Sequence, residues 1–301
     1  EKMELGPRDL VARSIETEIK EGRGFGQGMG SYVLMDLRHL GAERIMERLP
    51  QVRELAMAFE GVDMITDPVP IRPSNHYMMG GIDVVDFRTC ATVVDGLHAA
   101  GECSCISVHG ANRLGGNSVS EVVFFGKQAG IGAAETARRR DFAGTDRLEE
   151  LERQWDERFR AVRAKRTGEP MFAIRDRMAE AMWNGVGIFR TEEGMAAAEA
   201  VVDECMAAYA DARIDDDSQV YNQAFMNYVE LGNVLSIAKT VCMGARARTE
   251  SRGSHSREDY PVRDDERFLA HTLVSLSSDG AFTLGYRPVR VTRFAPEERK
   301  Y

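Results

Sequence analysis

The chain has 301 residues, 43% of them hydrophobic, and 39 Lys and Arg against 48 Asp and Glu, for a net charge of −9. That length is ample for a packed core and for more than one domain. The acidic balance excludes nucleic acid as a partner, because a phosphate backbone needs a cationic surface.

The chain opens at Glu1 rather than Met, inside an amphipathic stretch, and reads as a fragment of a longer protein with no signal-peptide pattern. The spacing predicts a helix over Asp9–Lys20, a glycine-rich loop from Gly22 to Gly30, a strand over Tyr32–Leu37, and helix over Ala42–Phe59 broken at Pro50. Strands are expected within Ile82–Val94, and a short buried strand over Gly96–Glu102 ending in a turn. After the glycine-rich loop His109–Asn117, Ser118 with Glu121 three residues on reads as a capping box opening a helix to about Arg138.

Residues 145–245 read as helical. Leu148, Leu151, Trp155, Phe159 and Val162 form one apolar stripe of bundle-core type. Thr191 can cap a helix to about Arg213, and Asn222–Met243 makes another. Residues 246–301 are charged and irregular, with a strand pair around Phe268–Leu276 and Phe282–Val291. No run of 18 apolar residues offers a membrane-spanning helix. Five cysteines, odd in number and without a C-x-x-C pair, read as reduced thiols, and no metal site is expected.

Three stretches carry chemistry. His76-Tyr77-Met78-Met79-Gly80-Gly81 sets an imidazole beside a turn where backbone can approach a ligand. Ala100-Gly101-Glu102 puts a carboxylate after an apolar segment, a position that takes ribose hydroxyls in nucleotide-binding folds. His109 to Ser118, HGANRLGGNS, places small residues and Arg113 before a helix N-terminus, which favours an anion, while the guanidinium suits a carboxylate. Taken singly, these residues also read as a structural histidine, an ordinary turn and a surface arginine.

Together these motifs closely resemble the flavoprotein subunits of succinate dehydrogenase and fumarate reductase. The resemblance extends to Met3–Asp9, Asp36–Gly41, Pro68–Pro73, Glu250–Arg257 and Arg263-Asp264-Asp265, in the family's order along nearly the whole chain. It implies an α+β/α/β chain: part of a capping domain (1–69), the C-terminal part of an FAD-binding Rossmann-like domain (70–140), a helical bundle domain (145–245) and an irregular C-terminal segment (246–301). The family interconverts fumarate and succinate by hydride transfer with FAD, between a flavin-binding domain and a mobile capping domain.

By the same resemblance, Arg8 is the catalytic proton donor or acceptor, with Asp9 and Glu4 as local relay candidates. His76, Arg113 and Gly116 bind the dicarboxylate. Tyr77, Gly101, Glu102, Arg113, Ser118 and Val119 hold FAD, Glu102 at the ribose and Ser118 and Val119 facing the isoalloxazine. The implied partners are an iron-sulfur subunit that takes the electrons and, through it, a membrane anchor subunit, which would place the chain at the cytoplasmic face of the cell membrane.

The family's G-x-G-x-x-G βαβ motif does not occur in these residues. Val119-Ser120-Glu121 stands where Leu-Leu-Asp is usual, and His98 where an aromatic is common. Glu250–Arg257 reads as structural or as a subunit contact. Two alternatives stay open: an L-aspartate oxidase, disfavoured by the Met pair and the charged C-terminus, and a non-catalytic helical interaction module.

Overall fold

A computed structural model describes residues 6–142 and 144–297. Met3, Glu4 and Leu5, and the Glu298–Tyr301 end, lie outside the described residues. The chain divides into two compact units, Glu1–Tyr77 and Met78–Tyr301.

In the first unit, α1 (Arg8–Lys20) is followed by β1 (Val33–Met35), α2 (Ala42–Arg48), α3 (Pro50–Glu60) and β2 (Val69–Ile71). Pro50 separates α2 from α3 as its spacing predicted, since it fits the first helical turn but cannot continue one. β1 and β2 pair antiparallel, Val33 opposite Ile71 and Met35 opposite Val69. Ile45, Ala56, Met64 and Val69 form a small core beneath them.

The second unit begins with a three-stranded sheet in the order β4-β3-β5. β3 (Ile82–Asp86) pairs antiparallel with β4 (Ala91–Thr92) and parallel with β5 (Ser104–Cys105). The strand expected over Gly96–Glu102 does not form. Its pairing reduces to one bridge, Ala91 to His98, because the chain turns at Gly101 before a ladder can develop. α4 (Asn117–Arg138) covers this sheet, with Val84, Cys90, Ala99 and Ile106 buried against Phe125 and Ala129. His98 is spent on structure: Nδ1 meets the Thr89 carbonyl at 2.7 Å and Nε2 the Thr136 hydroxyl at 3.1 Å.

Four helices follow: α5 (Thr145–Ala164), α6 (Met171–Val186), α7 (Glu192–Tyr209) and α8 (Gln223–Ala247). The Thr191 and Asn222 side chains cap α7 and α8 by accepting from Gly194 N and Phe225 N. Met178, Met195, Val202, Leu235 and Cys242 are buried where α6, α7 and α8 meet. The α5 stripe is a correction. Only Val162 reaches this core, and Phe159 packs on Phe225 at 4.0 Å, while Leu148 and Trp155 remain 56% and 48% exposed. The cause is placement: only the C-terminal end of α5 meets the bundle.

A hairpin of β6 (Ala270–Leu276) and β7 (Phe282–Pro288) completes the unit. It is bracketed to the first sheet by Arg287, whose two terminal nitrogens fork onto the Asp83 carboxylate at 2.6 Å each, and by Ser107 against His271 at 2.7 Å. Among the described residues no helix is long and apolar enough to cross a membrane.

Candidate functional site

Arg8, His76 and Tyr77 belong to the first unit; Gly101, Glu102, Arg113, Gly116, Ser118 and Val119 belong to the second. Arg8 is the first residue of α1 and is exposed. Its neighbour Asp9 accepts from Arg13 Nη2 at 3.1 Å across one helical turn. Glu16, on the same helix, is buried and lies 3.8 Å from Arg72. His76 is exposed in an extended stretch after β2, and Tyr77 is half-buried.

The second unit gathers the rest on two turns. Gly101 adopts φ +78, and a Cβ there would lie 3.0 Å from Val122 of α4, so the turn needs glycine both for its conformation and for its approach to the helix. Ser104 locks the turn, with N and Oγ both donating to the Gly101 carbonyl at 2.9 and 2.8 Å. Glu102 heads it, exposed, and its Oε1 accepts from the Met78 N–H at 2.9 Å. Its second oxygen has no protein donor among the described residues and can receive a ligand hydroxyl.

The loop 109–116 leads into α4. The capping box is a second correction. The N-cap position is Gly116, in the left-handed region at φ 82 and without a side-chain cap, and Ser118 sits inside the first turn. The Ser118 hydroxyl lies 3.3 Å from Arg113 Nη1 as acceptor. Glu121 turns away from the helix end to His109, Nε2 to Oε2 at 2.7 Å, both largely buried. A buried, charge-assisted contact of that length outweighs a cap worth about 1 kcal/mol. The reassignment pins the start of the loop to the flank of α4.

Where Cβ atoms would stand on Gly115 and Gly116 there is open space. Beside it Val119 and Val123, one turn apart on α4, are 66% and 69% exposed, while the Asn117 and Val119 N–H groups of the first turn donate to the Leu114 and Gly116 carbonyls at 3.3 and 3.2 Å. Carboxylate, open glycine cradle, helix N-terminus and apolar flank together fit a flavin nucleotide: hydroxyl acceptor, room for a ring edge, positive potential and an apolar ring rest.

Sequence reasoning missed two partners of this loop. One is the His109–Glu121 contact, hidden because Glu121 fitted a capping box. The other is the Gly253-Ser254 turn, from which the Ser254 N–H and hydroxyl both donate to the Ala111 carbonyl, at 3.0 and 2.9 Å. The R-G-S-H run gives a turn signal but does not name what the turn touches.

Comparison with known proteins agrees with the family resemblance. A family profile described as fumarate reductase flavoprotein C-term matches residues 175–301, and one described as an FAD binding domain matches residues 1–119. The 8-methylmenaquinol:fumarate reductase flavoprotein subunit of Wolinella succinogenes is 50% identical over 302 aligned residues, covering 100% of this chain and 49% of that protein. The succinate dehydrogenase flavoprotein subunit of Rickettsia conorii is 38% identical, covering 98% and 50%. A solved structure of an E. coli quinol fumarate reductase variant superposes with a TM-score of 0.90 at 40% identity, covering 98% of this chain and 51% of that one. The chain thus spans about half the length of the relatives it matches.

Proposed function

Since the chain belongs to the family of fumarate reductase and succinate dehydrogenase flavoprotein subunits, we propose that it supplies part of a site interconverting fumarate and succinate. The cofactor is FAD. Bound, FAD supplies the acceptor or donor of the hydride that leaves or joins one substrate carbon.

This chain's residues do the rest. Glu102 holds the ribose through its open oxygen. Gly101 keeps that carboxylate at the head of its turn, and Tyr77, Ser118, Val119 and the first turn of α4 hold the ring system. Arg113 forks onto one substrate carboxylate, His76 donates to the dicarboxylate, and the space over Gly116 admits it. Fixing a dianion at both ends aligns its CH–CH bond for transfer, which is worth several kcal/mol of barrier. Arg8 passes the accompanying proton to or from the neighbouring carbon. A guanidinium keeps its proton in water, so that step requires reloading from a carboxylate, and Asp9 is already engaged by Arg13.

The domain roles follow the same reading, with 1–69 as capping part, 70–140 as flavin part, 145–245 as bundle and 246–301 as closing segment. Electrons pass to an iron-sulfur subunit, and an anchor subunit holds the complex at the cytoplasmic face of the membrane.

The observation that carries the reading is Arg113 on the same loop as the open Gly115-Gly116 cradle, a turn of chain from α4's N-terminus. The test is Arg113→Lys in the protein completed to the relatives' length. Lysine keeps the charge and loses the fork. Succinate and fumarate turnover should fall at least about tenfold, the worth of one charge-assisted contact. Turnover within about threefold of wild type would remove Arg113 from the site. Turnover of L-aspartate in place of the dicarboxylates would overturn the assignment of substrate.

A further inference from the structure

The loop that presents Arg113 is held from a part of the chain with no other share in the site. Ala111, two residues before Arg113, offers one carbonyl, and Ser254, 143 residues away, spends both its N–H and its hydroxyl on it. Gly253 adopts φ +59 just before, and a Cβ there would stand 2.4 Å from the Ala111 oxygen and 2.6 Å from its carbon. No L side chain fits without moving that carbonyl.

The turn itself is stiff. Arg252 and His255 exchange backbone hydrogen bonds at 2.8 and 3.0 Å. Arg252 forks onto Glu250 at 2.8 and 2.9 Å and reaches Asp265 at 2.7 Å. The His255 ring lies between Arg190 Nη1, at 2.9 Å, and the Arg248 carbonyl, at 3.2 Å. At its other end the loop is pinned by His109 to Glu121. Residues 109 and 111 are therefore fixed, and Arg113 follows two residues on, its Nη1 donating to the Ser118 hydroxyl at 3.3 Å and the Leu114 carbonyl at 3.4 Å.

We infer that the Gly253-Ser254 turn is a positioning element for Arg113, by which the C-terminal segment sets dicarboxylate affinity. The inference rests on the substrate role proposed for Arg113. A fixed Ala111 carbonyl fixes the origin of the Arg113 side chain, and misplacement by about 1 Å is enough to lose orders of magnitude in an oriented site.

The test uses the flavin-loaded protein completed to the relatives' length, and malonate, a dicarboxylate with no CH–CH bond to oxidise. Malonate Kd is read from the flavin absorbance shift, beside KM, kcat, flavin content and Tm. Gly253→Ala should raise malonate Kd and fumarate KM at least about tenfold, equivalent to about 1.4 kcal/mol, with a smaller loss in kcat. Ser254→Ala, which keeps the N–H, should raise Kd between about two- and fivefold at nearly unchanged Tm, and it decides the matter if Gly253→Ala does not accumulate. Ile174→Ala, a cavity in the bundle core, should lower Tm and leave Kd alone.

Unchanged Kd in both turn variants, while Arg113→Lys raises it, overturns the positioning role and leaves the substrate reading standing. An equal Kd rise in Ile174→Ala also overturns it, as a general loss of fold. Unchanged Kd in Arg113→Lys removes the substrate reading and this inference together.

Discussion

Arg8 stands exposed at the start of α1, while Arg13, one turn on, is committed to Asp9 at 3.1 Å. The two arginines therefore separate chemistry from helix stability. In the completed protein, Arg8→Gln should lower dicarboxylate turnover at least about 100-fold, the lower range for losing a general acid. Malonate binding should survive, because the carboxylate grips lie elsewhere. Arg13→Gln should keep turnover and lose only the roughly 0.3–0.5 kcal/mol of an i,i+4 pair. If Arg13→Gln abolishes kcat and Arg8→Gln does not, the proton role moves to Arg13. At this scale the turn at Gly101 and the loop before α4 were legible, because Glu102 and Arg113 sit in glycine-rich runs that mark them. The partner of Glu121 was not. Sequence spacing favours the local cap, whereas the fold brings His109 to the same carboxylate and buries both.

Among the elements, the segment after α8 is the most densely tied. Glu250 is fully buried and accepts from Arg248, Arg252 and the Asp264 N–H. Desolvation alone would raise its carboxyl, but the Arg252 guanidinium, the Asp264 N–H and Arg248 together hold it low. His255 goes the other way. Burial, then the neighbouring Arg190, pushes the imidazole down to about 4. A histidine lowered on folding is held neutral, so the unfolded chain binds the proton first as pH falls, and stability drains between the ordinary value of 6.5 and about 4. Asp259 and Asp265, each held down to about 2, first by Arg257 and by Arg263 respectively, lose their stabilising contribution only below that window, as pH falls from the ordinary 3.8 towards about 2. Thermal unfolding should show Tm dropping from pH 7 to pH 4, and His255→Asn should flatten that window while lowering Tm at pH 7. A wild-type Tm unchanged across the window would mean that His255 is not held neutral. In sequence this segment read as charged and irregular, with Glu250–Arg257 as structural or a subunit contact; the fold buries Glu250 and Arg257 to 0% and 1% exposure, which fits the structural reading.

For the whole molecule, helix type and order were legible from periodicity and caps, since Thr191, Asn222 and Pro50 act through their immediate neighbours. Burial was not, and the α5 stripe shows why: a 3.6-residue period says that a helix has an apolar face but not what covers it. Val119 and Val123 on α4 make the same point at the site. The 301 residues contain no G-x-G-x-x-G run and span about half the relatives' length. Purified alone, the chain should carry well under one flavin per molecule by visible absorbance. Stoichiometric flavin would show that Glu102 and the 109–118 loop suffice to retain it.

The Arg287–Asp83 fork joins residues 204 apart in sequence. On a ribosome adding about 5–20 residues per second, that is a wait of roughly 10–40 seconds between the two partners. Throughout that interval the strand carrying Asp83 has been made and its clamp is still untranslated. Nascent chains stalled before the hairpin should be open to protease around residues 82–107, and chains released after it should be closed there; equal cleavage of both would show that the sheet closes without its clamp.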